Sequence, residues 1–249
     1  MGFWGVEKSG EVATLTLGRG KVNALNGAVV DELRAALEAL EGEPGVRAVI
    51  LTGAGKFFSF GFDIPEFLSY TRERFADFLT RFTGLYTYLF LYPKPVVAAI
   101  NGHAVAGGCM LVLACDRRVM VGGRAKISLN EIGFGSSVFA GSAEMLRFWV
   151  GSAAATAVLY SGAMYAAAGA ERLGLVHEVA DEEGLAGAAM KAASELAARQ
   201  QPAFASIKSL LRKPIADEMR RREDESIREF VDIWYSEATW ANLQAIKIH

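Results

Sequence analysis

Two segments of this sequence could each present a backbone N–H group to the same ligand atom, and two such donors stabilise a negative charge. In the first segment, an apolar run at residues 95–100 stops at 101–102, and Gly107 and Gly108 then lead into the apolar residues 109–115. The run predicts a buried strand, and the second stretch predicts a buried helix that starts at the glycines. The first N–H groups of a helix have no partner within it, and the helix dipole favours an anion there. On its own, the pattern also fits a close packing contact between a strand and a helix.

A second segment repeats this design. Residues 48–52 form a strand-like apolar run, residues 53–55 read Gly-Ala-Gly, and residues 56–65 lead towards the start of another helix. Two strand–turn–helix units can direct two backbone N–H groups at one point, which is the arrangement of an oxyanion hole. The repetition therefore favours a catalytic interpretation over a packing contact.

Glu131 is the residue best suited to acid–base chemistry. It lies between apolar neighbours just after a short predicted strand, where loss of solvent would make its carboxylate more basic. Taken alone, a glutamate in this position is more often a surface or capping residue. His103 is a second candidate base, but no nucleophile and orienting acid stand at a recognisable spacing, so we interpret it as structural. The absence of G-x-S-x-G, of a Walker loop and of G-x-G-x-x-G argues against a serine hydrolase, a simple nucleotide hydrolase and a dinucleotide-binding enzyme.

The composition is that of a well-packed globular protein. The chain has 249 residues, 52% of them hydrophobic, and is long enough for one large domain or a domain with a helical appendage. A formal net charge of −2 argues against a nucleic-acid partner, because no basic excess is present to neutralise phosphates. Cys109 and Cys115 are too few, and spaced wrongly, for a disulfide framework or a metal site. We expect two buried structural thiols and no bound metal.

No targeting or membrane-spanning segment is apparent in the sequence. The first seven residues lack a basic region followed by an apolar one, which a secretory signal requires. Residues 95–115 are apolar, but Asn101, His103 and three glycines interrupt them. We therefore expect a cytoplasmic protein that has no membrane partner.

The elements that must position these residues alternate between strand and helix. Asn26 can cap a helix with apolar residues at three- and four-residue steps, and residues 75–91 predict a second, aromatic-rich helix. This alternation is typical of an α/β fold with a covered sheet. Strands are predicted over residues 12–17, 48–52, 95–100 and 117–121.

The later part of the sequence differs in character. From about residue 142 the chain is Ala-rich and predicted helical, apart from a short strand at 175–179, and a last helical stretch begins at residue 201. We divide the chain into a core at 1–195 and a C-terminal helical region at 196–249. Large apolar residues near its end need a surface to cover them, either the chain's own core or a neighbouring subunit. They are Ile227, Phe230, Val231, Ile233, Trp234, Tyr235 and Trp240.

With both glycine segments and Glu131 considered together, the chain resembles the crotonase superfamily, which includes the enoyl-CoA hydratases and isomerases. Residues 58–64 are similar to the F-S-A-G-x-D-[IL] motif of that superfamily, with Phe60 in place of the usual alanine. Residues 101–109 match its second glycine motif, and residues 161–176 resemble its later S-G…G-L-V stretch. The match covers nearly the whole length of the chain.

The resemblance assigns roles to particular residues. It implies that the N–H groups of Phe62 and Gly107 form the oxyanion hole. It also implies that the CoA thioester is contacted by the early loop at 21–26 and by residues around the first motif. These contacts are Lys21, Ala24, Leu25, Ser59, Phe60, Gly61, Asp63 and Ile64.

The resemblance also implies a fold, an assembly and a reaction type. The expected fold is a spiral of ββα units with a C-terminal helical region that forms a homotrimer or a dimer of trimers. The implied chemistry is polarisation of an acyl-CoA thioester carbonyl by two backbone N–H groups, which gives an enolate. Coenzyme A is then part of the substrate, and no separate cofactor is expected.

One departure from the hydratases narrows the expected reaction. Hydratases carry a glutamate just after the second glycine motif and another further on, whereas this chain has Met110 and Glu131. Hydration needs a base to activate water and an acid to protonate carbon, and a thioether can do neither. Residues 128–131 resemble the G-L-N-E motif of mitochondrial-type Δ3,Δ2-enoyl-CoA isomerases. The resemblance therefore implies an isomerase in which Glu131 moves a proton from C2 to C4.

Two alternatives stay open from the sequence. The first is other enolate chemistry, as in a weak enoyl-CoA hydratase or a decarboxylase, and the second is a non-catalytic acyl-CoA-binding member. The hydratase-like P-G-x-G-G is replaced by residues 135–141, which we expect to shape the acyl pocket. We expect Phe62, Met110, Phe134 and Phe139 to make that pocket apolar.

Overall fold

The computed structural model describes residues 2–246, in which strands and helices alternate. In chain order, the first part contains β1 (Trp4–Ser9), β2 (Val12–Leu17), α1 (Gly27–Glu41), β3 (Ala48–Gly53), β4 (Phe57–Ser59), α2 (Ile64–Phe67), α3 (Arg72–Leu91), β5 (Val96–Ile100), β6 (His103–Val105) and α4 (Gly107–Ala114). The second part contains β7 (Arg117–Val121), β8 (Lys126–Ser128), a 3-10 helix (Glu131–Phe134), α5 (Ala140–Ser161), β9 (Tyr165–Ala166), α6 (Ala167–Leu173), β10 (Glu178–Ala180), α7 (Leu185–Ala197), α8 (Gln201–Trp234) and α9 (Glu237–Ala245). None of the helices within residues 2–246 has the length and apolar content needed to cross a bilayer.

The strands form two sheets that the chain visits in turn. The larger sheet has the order β1-β2-β3-β5-β7-β10 and is parallel except for the pair β1–β2. The smaller sheet has the order β4-β6-β8-β9 and is parallel except for β8–β9. Three successive units, β3-β4-α3, β5-β6-α4 and β7-β8-α5, each give one strand to each sheet and then a helix. The fold is therefore α/β, a spiral of ββα units followed by a C-terminal helical region, as the crotonase resemblance implies.

Burial on both faces explains the long apolar runs of the larger sheet. Every residue of β5 is buried, and all but one residue of β3 are. Parallel strands covered on both faces are apolar along their whole length, which is why the sequence predicts them well. The strands of the smaller sheet have only two or three residues, too few to show alternation. The sequence predicts a glycine turn at β6 and helix at β9. The strand predicted at 175–179 is shifted and observed as β10.

The aromatic residues at the end of α8 pack into the chain's own core. Trp234 lies 4.7 Å from Phe75 of α3 between ring centroids, and Phe230 lies 4.4 Å from Phe139. Both Phe230 and Trp234 are 1% exposed. Of the two burial surfaces that the sequence allows, their own chain covers these aromatic residues, so they do not by themselves require a second subunit. The division proposed at 195/196 falls inside α7, and α8 packs against α3 and α5 as part of one core.

A buried ionic cluster fastens the first half of α8 to the sheet. Asp116, between α4 and β7, accepts hydrogen bonds from Lys208 Nζ at 2.7 Å and from Val96 N at 2.8 Å, and its other oxygen lies 3.0 Å from Arg212 Nη2. The Lys208 and Arg212 side chains are 3% and 5% exposed. Arg212 also donates to the carbonyls of Phe90 and other helix-terminal residues. Two buried cations therefore share one carboxylate, and removing it leaves both without a counter-charge.

We expect Asp116→Ala to lower the free energy of unfolding by about 3–5 kcal/mol, because breaking a buried ion pair leaves an uncompensated charge. The measurement is urea unfolding followed by circular dichroism at neutral pH. Asp31→Ala is the matched control, since Asp31 pairs with Arg81 at the surface and its side chain is 55% exposed. The control should cost less than about 1 kcal/mol. Equal losses for the two variants would contradict the role given to the cluster.

Candidate active site

Two backbone N–H groups are left without partners where the glycine segments meet. Gly107 is the first residue of α4, so its N–H has no acceptor within the helix. Phe62 forms a parallel bridge with Leu25, in which Leu25 N donates to Gly61 O at 2.7 Å and Asp63 N donates to Leu25 O at 2.9 Å. The bridge uses the carbonyl of Gly61 and the N–H of Asp63, and no protein acceptor within residues 2–246 pairs with the N–H of Phe62 itself. The structure therefore leaves free the two N–H groups that the sequence selects.

The two segments approach so closely that only glycine fits at two positions. A Cβ at Gly107 would lie 2.9 Å from Cε1 of Phe62, closer than real Cβ contacts. Gly61 has a φ of +92°, which disfavours any other residue, and a Cβ there would lie 3.3 Å from the nitrogen of Gly107. Each glycine therefore allows the other segment to come near, and the backbone around Phe62 and Gly107 converges.

Ala106 holds a strained backbone conformation next to the second donor. Its φ is +49° and its ψ is −120°, which an L-residue adopts at a cost of about 1–3 kcal/mol. The residue is fixed on both sides, because its N–H donates to Ser128 O and its carbonyl accepts from Met110 N. Such strain is typical of functional turns, where the surrounding structure holds one orientation of a backbone group. Here it sets the direction in which α4 begins.

An apolar cavity of about 80 Å³ opens beside these donors. Phe62 and Gly107 lie on its wall together with Met110 and Glu131, so the structure brings the main sequence-selected residues to one place. Within residues 2–246, no cluster of His, Cys, Asp and Glu side chains is arranged to hold a metal ion. The other lining residues are Phe60, Ile64, Val105, Ala106, Asn130, Phe134, Phe230, Trp234 and Ile246.

Glu131 is a buried carboxyl group on this wall. It is the first residue of the 3-10 helix and is 3% exposed, and neither of its carboxyl oxygens has a hydrogen-bond partner within the described chain. Burial in apolar surroundings disfavours the charged form and raises the pKa of Glu131 to about 8. A carboxylate with a raised pKa is a stronger base than a solvated one. The group is therefore suited to taking up and returning a proton near neutral pH.

Met110 stands one helical turn into α4 and is 1% exposed. Its thioether lies on the same cavity wall as Glu131, where it adds apolar surface and no acid–base group. Glu131 is the only titratable side chain among the lining residues that the structure describes. The arrangement can therefore supply one proton-transferring group and two oxyanion donors.

Three other predicted pocket residues differ in their exposure. Phe134 lies on the cavity wall, and Phe60 lies at its edge with 38% of its surface exposed. Phe139 does not line the cavity but is fully buried behind it, 6.4 Å from Phe62 between ring centroids. His103 lies outside the cavity, where its ring packs on Phe57.

Of the predicted CoA contacts in the early loop and first motif, Phe60 and Ile64 line the cavity, and the others are not among its lining residues. Lys21 is exposed, whereas Ala24, Leu25 and Ser59 are buried. Asp63 caps α2 by accepting from Glu66 N, and its carboxylate forms an ion pair with Arg19 at 2.6 Å. Their contacts with coenzyme A stay a prediction.

The C-terminal region contributes residues that the sequence does not assign to the site. Phe230, Trp234 and Ile246 close one side of the cavity. The cluster of large aromatic residues near the end of the chain was the available signal, but a sequence without the fold does not show which surface such a cluster covers.

Helix α9 holds the segment that carries Glu131. Thr239 Oγ1 donates to Gly135 O at 2.6 Å, and Asn242 Nδ2 donates to Phe134 O at 3.2 Å. Gly135 ends the 3-10 helix in the left-handed conformation, so these bonds satisfy carbonyls at the end of that helix. The position of Glu131 therefore depends on a helix more than a hundred residues further along the chain.

The fold, with its apolar cavity and buried carboxyl group, is that of a class of enzymes that act on acyl-CoA thioesters. The chain belongs to the enoyl-CoA hydratase/isomerase family, whose model matches residues 7–240. It is 35% identical to a probable enoyl-CoA hydratase of Rhizobium meliloti over 213 residues, which covers 84% of this chain and 81% of that protein.

Solved structures show the same family likeness. The crystal structure of human mitochondrial Δ3,Δ2-enoyl-CoA isomerase superposes with a TM-score of 0.93 at 29% identity, covering 97% of this chain and 95% of that one. An enoyl-CoA hydratase of Bacillus halodurans superposes with a TM-score of 0.89 at 26% identity, covering 98% of this chain and 100% of that one. The protein is thus an acyl-CoA enzyme of the crotonase superfamily.

We expect the burial of Glu131 to make the fold less stable as pH rises. Its pKa in the folded protein, about 8, lies above the ordinary value of 4.5, so the folded state holds the proton more tightly. The resulting stabilisation is complete below pH 4.5 and is lost as pH rises to about 8. Relative to Glu131→Gln, the wild type should lose up to about 1.4 kcal/mol of unfolding free energy per pH unit across this window. Urea unfolding of both proteins at several pH values measures the difference, and a pH-independent difference would contradict the assignment.

Proposed function

We propose that this enzyme is a Δ3,Δ2-enoyl-CoA isomerase that uses Glu131 as its single base. The observation that carries the proposal is the cavity wall, where Glu131 is the only titratable side chain among the described lining residues. Two unpaired backbone N–H groups lie on or beside the same wall. A reaction that needs one base and one oxyanion hole fits this equipment.

The proposed reaction begins with removal of a proton from C2 of a 3-enoyl thioester. The Glu131 carboxylate takes this proton while the electron pair of the C–H bond moves into the thioester, and the carbonyl oxygen becomes an oxyanion. The N–H groups of Phe62 and Gly107 stabilise that oxyanion, since both point charge-stabilising dipoles at it in a site that excludes water. Glu131 then returns the proton at C4, the double bond forms between C2 and C3, and the carbonyl is restored.

Each step places a demand on Glu131 that its surroundings meet. Deprotonation at carbon is difficult for a weak base. The raised pKa of Glu131 narrows the difference between the pKa of its carboxyl group and that of the C2–H group. The carboxyl group has no hydrogen bond to protein, which leaves it free to reach both carbons of the substrate. A positioned base of this kind supplies about a hundred- to ten-thousand-fold of a rate enhancement.

Met110 supports isomerisation over hydration. Adding water across a double bond needs one group to activate water and another to protonate carbon, and the thioether of Met110 can do neither. Its buried position on the cavity wall also fills space with apolar atoms. Several relatives are named as probable enoyl-CoA hydratases, so weak hydration of 2-enoyl-CoA is the second candidate function. A homotrimer or dimer of trimers and a cytoplasmic location stay predictions of the sequence.

We expect Glu131→Gln to lower kcat for isomerisation of 3-enoyl-CoA by about a hundred- to ten-thousand-fold, because the amide cannot accept the proton. In the wild type, kcat/KM should rise with pH as Glu131 ionises in the free enzyme, up to a pKa of about 8. Product formation is followed by chromatography of the thioesters. Glu223→Gln is the matched control, since Glu223 is a buried carboxyl bound by Tyr86 Oη and Gly141 N outside the cavity. Full turnover by Glu131→Gln would exclude this residue as the base.

Restoring a carboxyl group at position 110 tests the role of the thioether. We expect Met110→Glu to raise the formation of 3-hydroxyacyl-CoA from 2-enoyl-CoA at least about tenfold over the wild type, because a second acid–base group becomes available. Met110→Gln is the control, as it adds a polar group of the same length that does not ionise. Strong hydration by the wild type would contradict the single-base proposal.

A further inference from the structure

Two polar groups that belong to residues lining the cavity have no role in the proton transfer and no partner within residues 2–246. They are the indole Nε1–H of Trp234 and the amide Oδ1 of Asn130. Both belong to residues that line the same apolar cavity as Glu131. An unpartnered buried polar group costs free energy in the empty protein, so a cavity that keeps two of them is suited to a ligand with a polar atom.

Trp234 is the more informative of the two groups. It is 1% exposed, and a buried indole N–H ordinarily finds an acceptor. Two other tryptophans follow this rule, because Trp4 Nε1 donates to Val29 O at 3.0 Å and Trp149 Nε1 donates to Leu113 O at 2.7 Å. The indole that lines the cavity departs from it.

The ring of Trp234 is held in place by its neighbours. Its centroid lies 4.7 Å from that of Phe75 and 5.8 Å from that of Phe230, and the latter pair is stacked. These contacts with the rings of Phe75 and Phe230 restrict rotation of the indole. Its N–H therefore has a fixed direction before any ligand binds. A preorganised donor gives selectivity, because no side-chain entropy is lost when the hydrogen bond forms.

The chemistry of the wall defines the atom that would satisfy this donor. An indole N–H only donates, so its partner must be an acceptor. No Lys or Arg side chain is found among the described lining residues, so an anion in the cavity would have no counter-charge there. A carboxylate on the acyl chain is therefore disfavoured, whereas a carbonyl, hydroxyl or ether oxygen carries no charge to be compensated.

We propose that the indole N–H of Trp234 binds a neutral oxygen on the acyl group, so that the preferred substrates are oxygen-bearing acyl-CoA thioesters rather than plain hydrocarbon ones. The inference rests on the proposed function only in that the acyl group occupies this cavity. Trp234 is then a specificity-determining residue, and the oxygen-bearing chain regains in the complex the hydrogen bond that it loses on leaving water. A hydrocarbon chain of the same length leaves the indole unpaired.

Binding of thioesters that cannot be isomerised tests the proposal without requiring turnover. The probes are hexanoyl-CoA, 4-oxohexanoyl-CoA and 5-oxohexanoyl-CoA, which have one chain length and differ in a single oxygen. We expect the wild type to bind one of the oxo thioesters about tenfold more tightly than hexanoyl-CoA, as measured by titration calorimetry. Trp234→Phe keeps an aromatic ring and removes the N–H, and it should abolish this preference, so that the variant binds the three thioesters with equal affinity.

Trp240→Phe is the matched control. Trp240 belongs to the same C-terminal region and stacks on Tyr235 at 5.0 Å between centroids, but it does not line the cavity. This variant should keep the preference of the wild type for the oxo thioester. Thermal unfolding of both variants checks that each one folds.

A spectroscopic measurement on the wild type makes the test independent of any variant's stability. In protein labelled with ¹⁵N-tryptophan, the indole resonance that is missing from Trp234→Phe identifies Trp234. The preferred oxo thioester should move the proton shift of this resonance downfield, as hydrogen bonding does, and hexanoyl-CoA should not. Equal affinities and equal shifts for all three thioesters would overturn the proposal, as would an absence of binding.

The outcome also separates this proposal from the proposed function. Loss of isomerisation in Glu131→Gln together with unselective binding by the wild type would overturn the oxygen subsite and leave the isomerase assignment standing. Selective binding through Trp234 in a protein that isomerises no 3-enoyl-CoA would overturn the isomerase assignment and keep the subsite.

Discussion

The close approach of two backbone segments is the constraint on which this site depends. Gly61 and Gly107 allow the turn at Phe62 and the start of α4 to come within contact distance, and both turns leave one N–H group without an acceptor. The first strands of the ββα units are parallel and neighbouring in the larger sheet, so their following turns emerge on the same side. The donors are thereby placed by backbone geometry, and the strained Ala106 fixes the direction of the second one.

The stability of a charge inside the cavity depends on the groups that surround these two N–H donors. The walls are largely aromatic and aliphatic, so the free energy of any charge there depends on the few polar groups that face it. In the proposed reaction a developing oxyanion meets two N–H dipoles, whereas the Glu131 carboxylate meets none and is held towards its neutral form. The same apolar surroundings thus strengthen the stabilisation of the intermediate and raise the basicity of the group that forms it. The two polar N–H groups and the apolar walls therefore both contribute to the proposed chemistry.

The sequence predicted the parts of the fold that have long periodic or apolar signals. β7 was predicted residue for residue, and the cap of α1 is the predicted Asn26, whose side chain accepts from Val29 N. Apart from the short strand before Glu131, the strands of the smaller sheet were not predicted, because two or three residues carry no periodicity. The glycine segments and Glu131 could be selected from local patterns. Phe230 and Trp234 could not be placed at the site, because which surface a distant helix covers is decided by tertiary packing alone.

Because α9 forms hydrogen bonds with the 3-10 helix, the site is built from residues that are far apart in the sequence. Thr239 and Gly135 are 104 residues apart, so their contact closes one of the longer loops in the protein. Local units such as β5-β6-α4 can form from neighbouring residues, but the segment of Glu131 is fixed only after the last helices have docked. We therefore expect the two unpartnered N–H groups to be placed before Glu131 is fixed, and local opening of α9 to release the Glu131 carboxyl group while leaving the sheets intact.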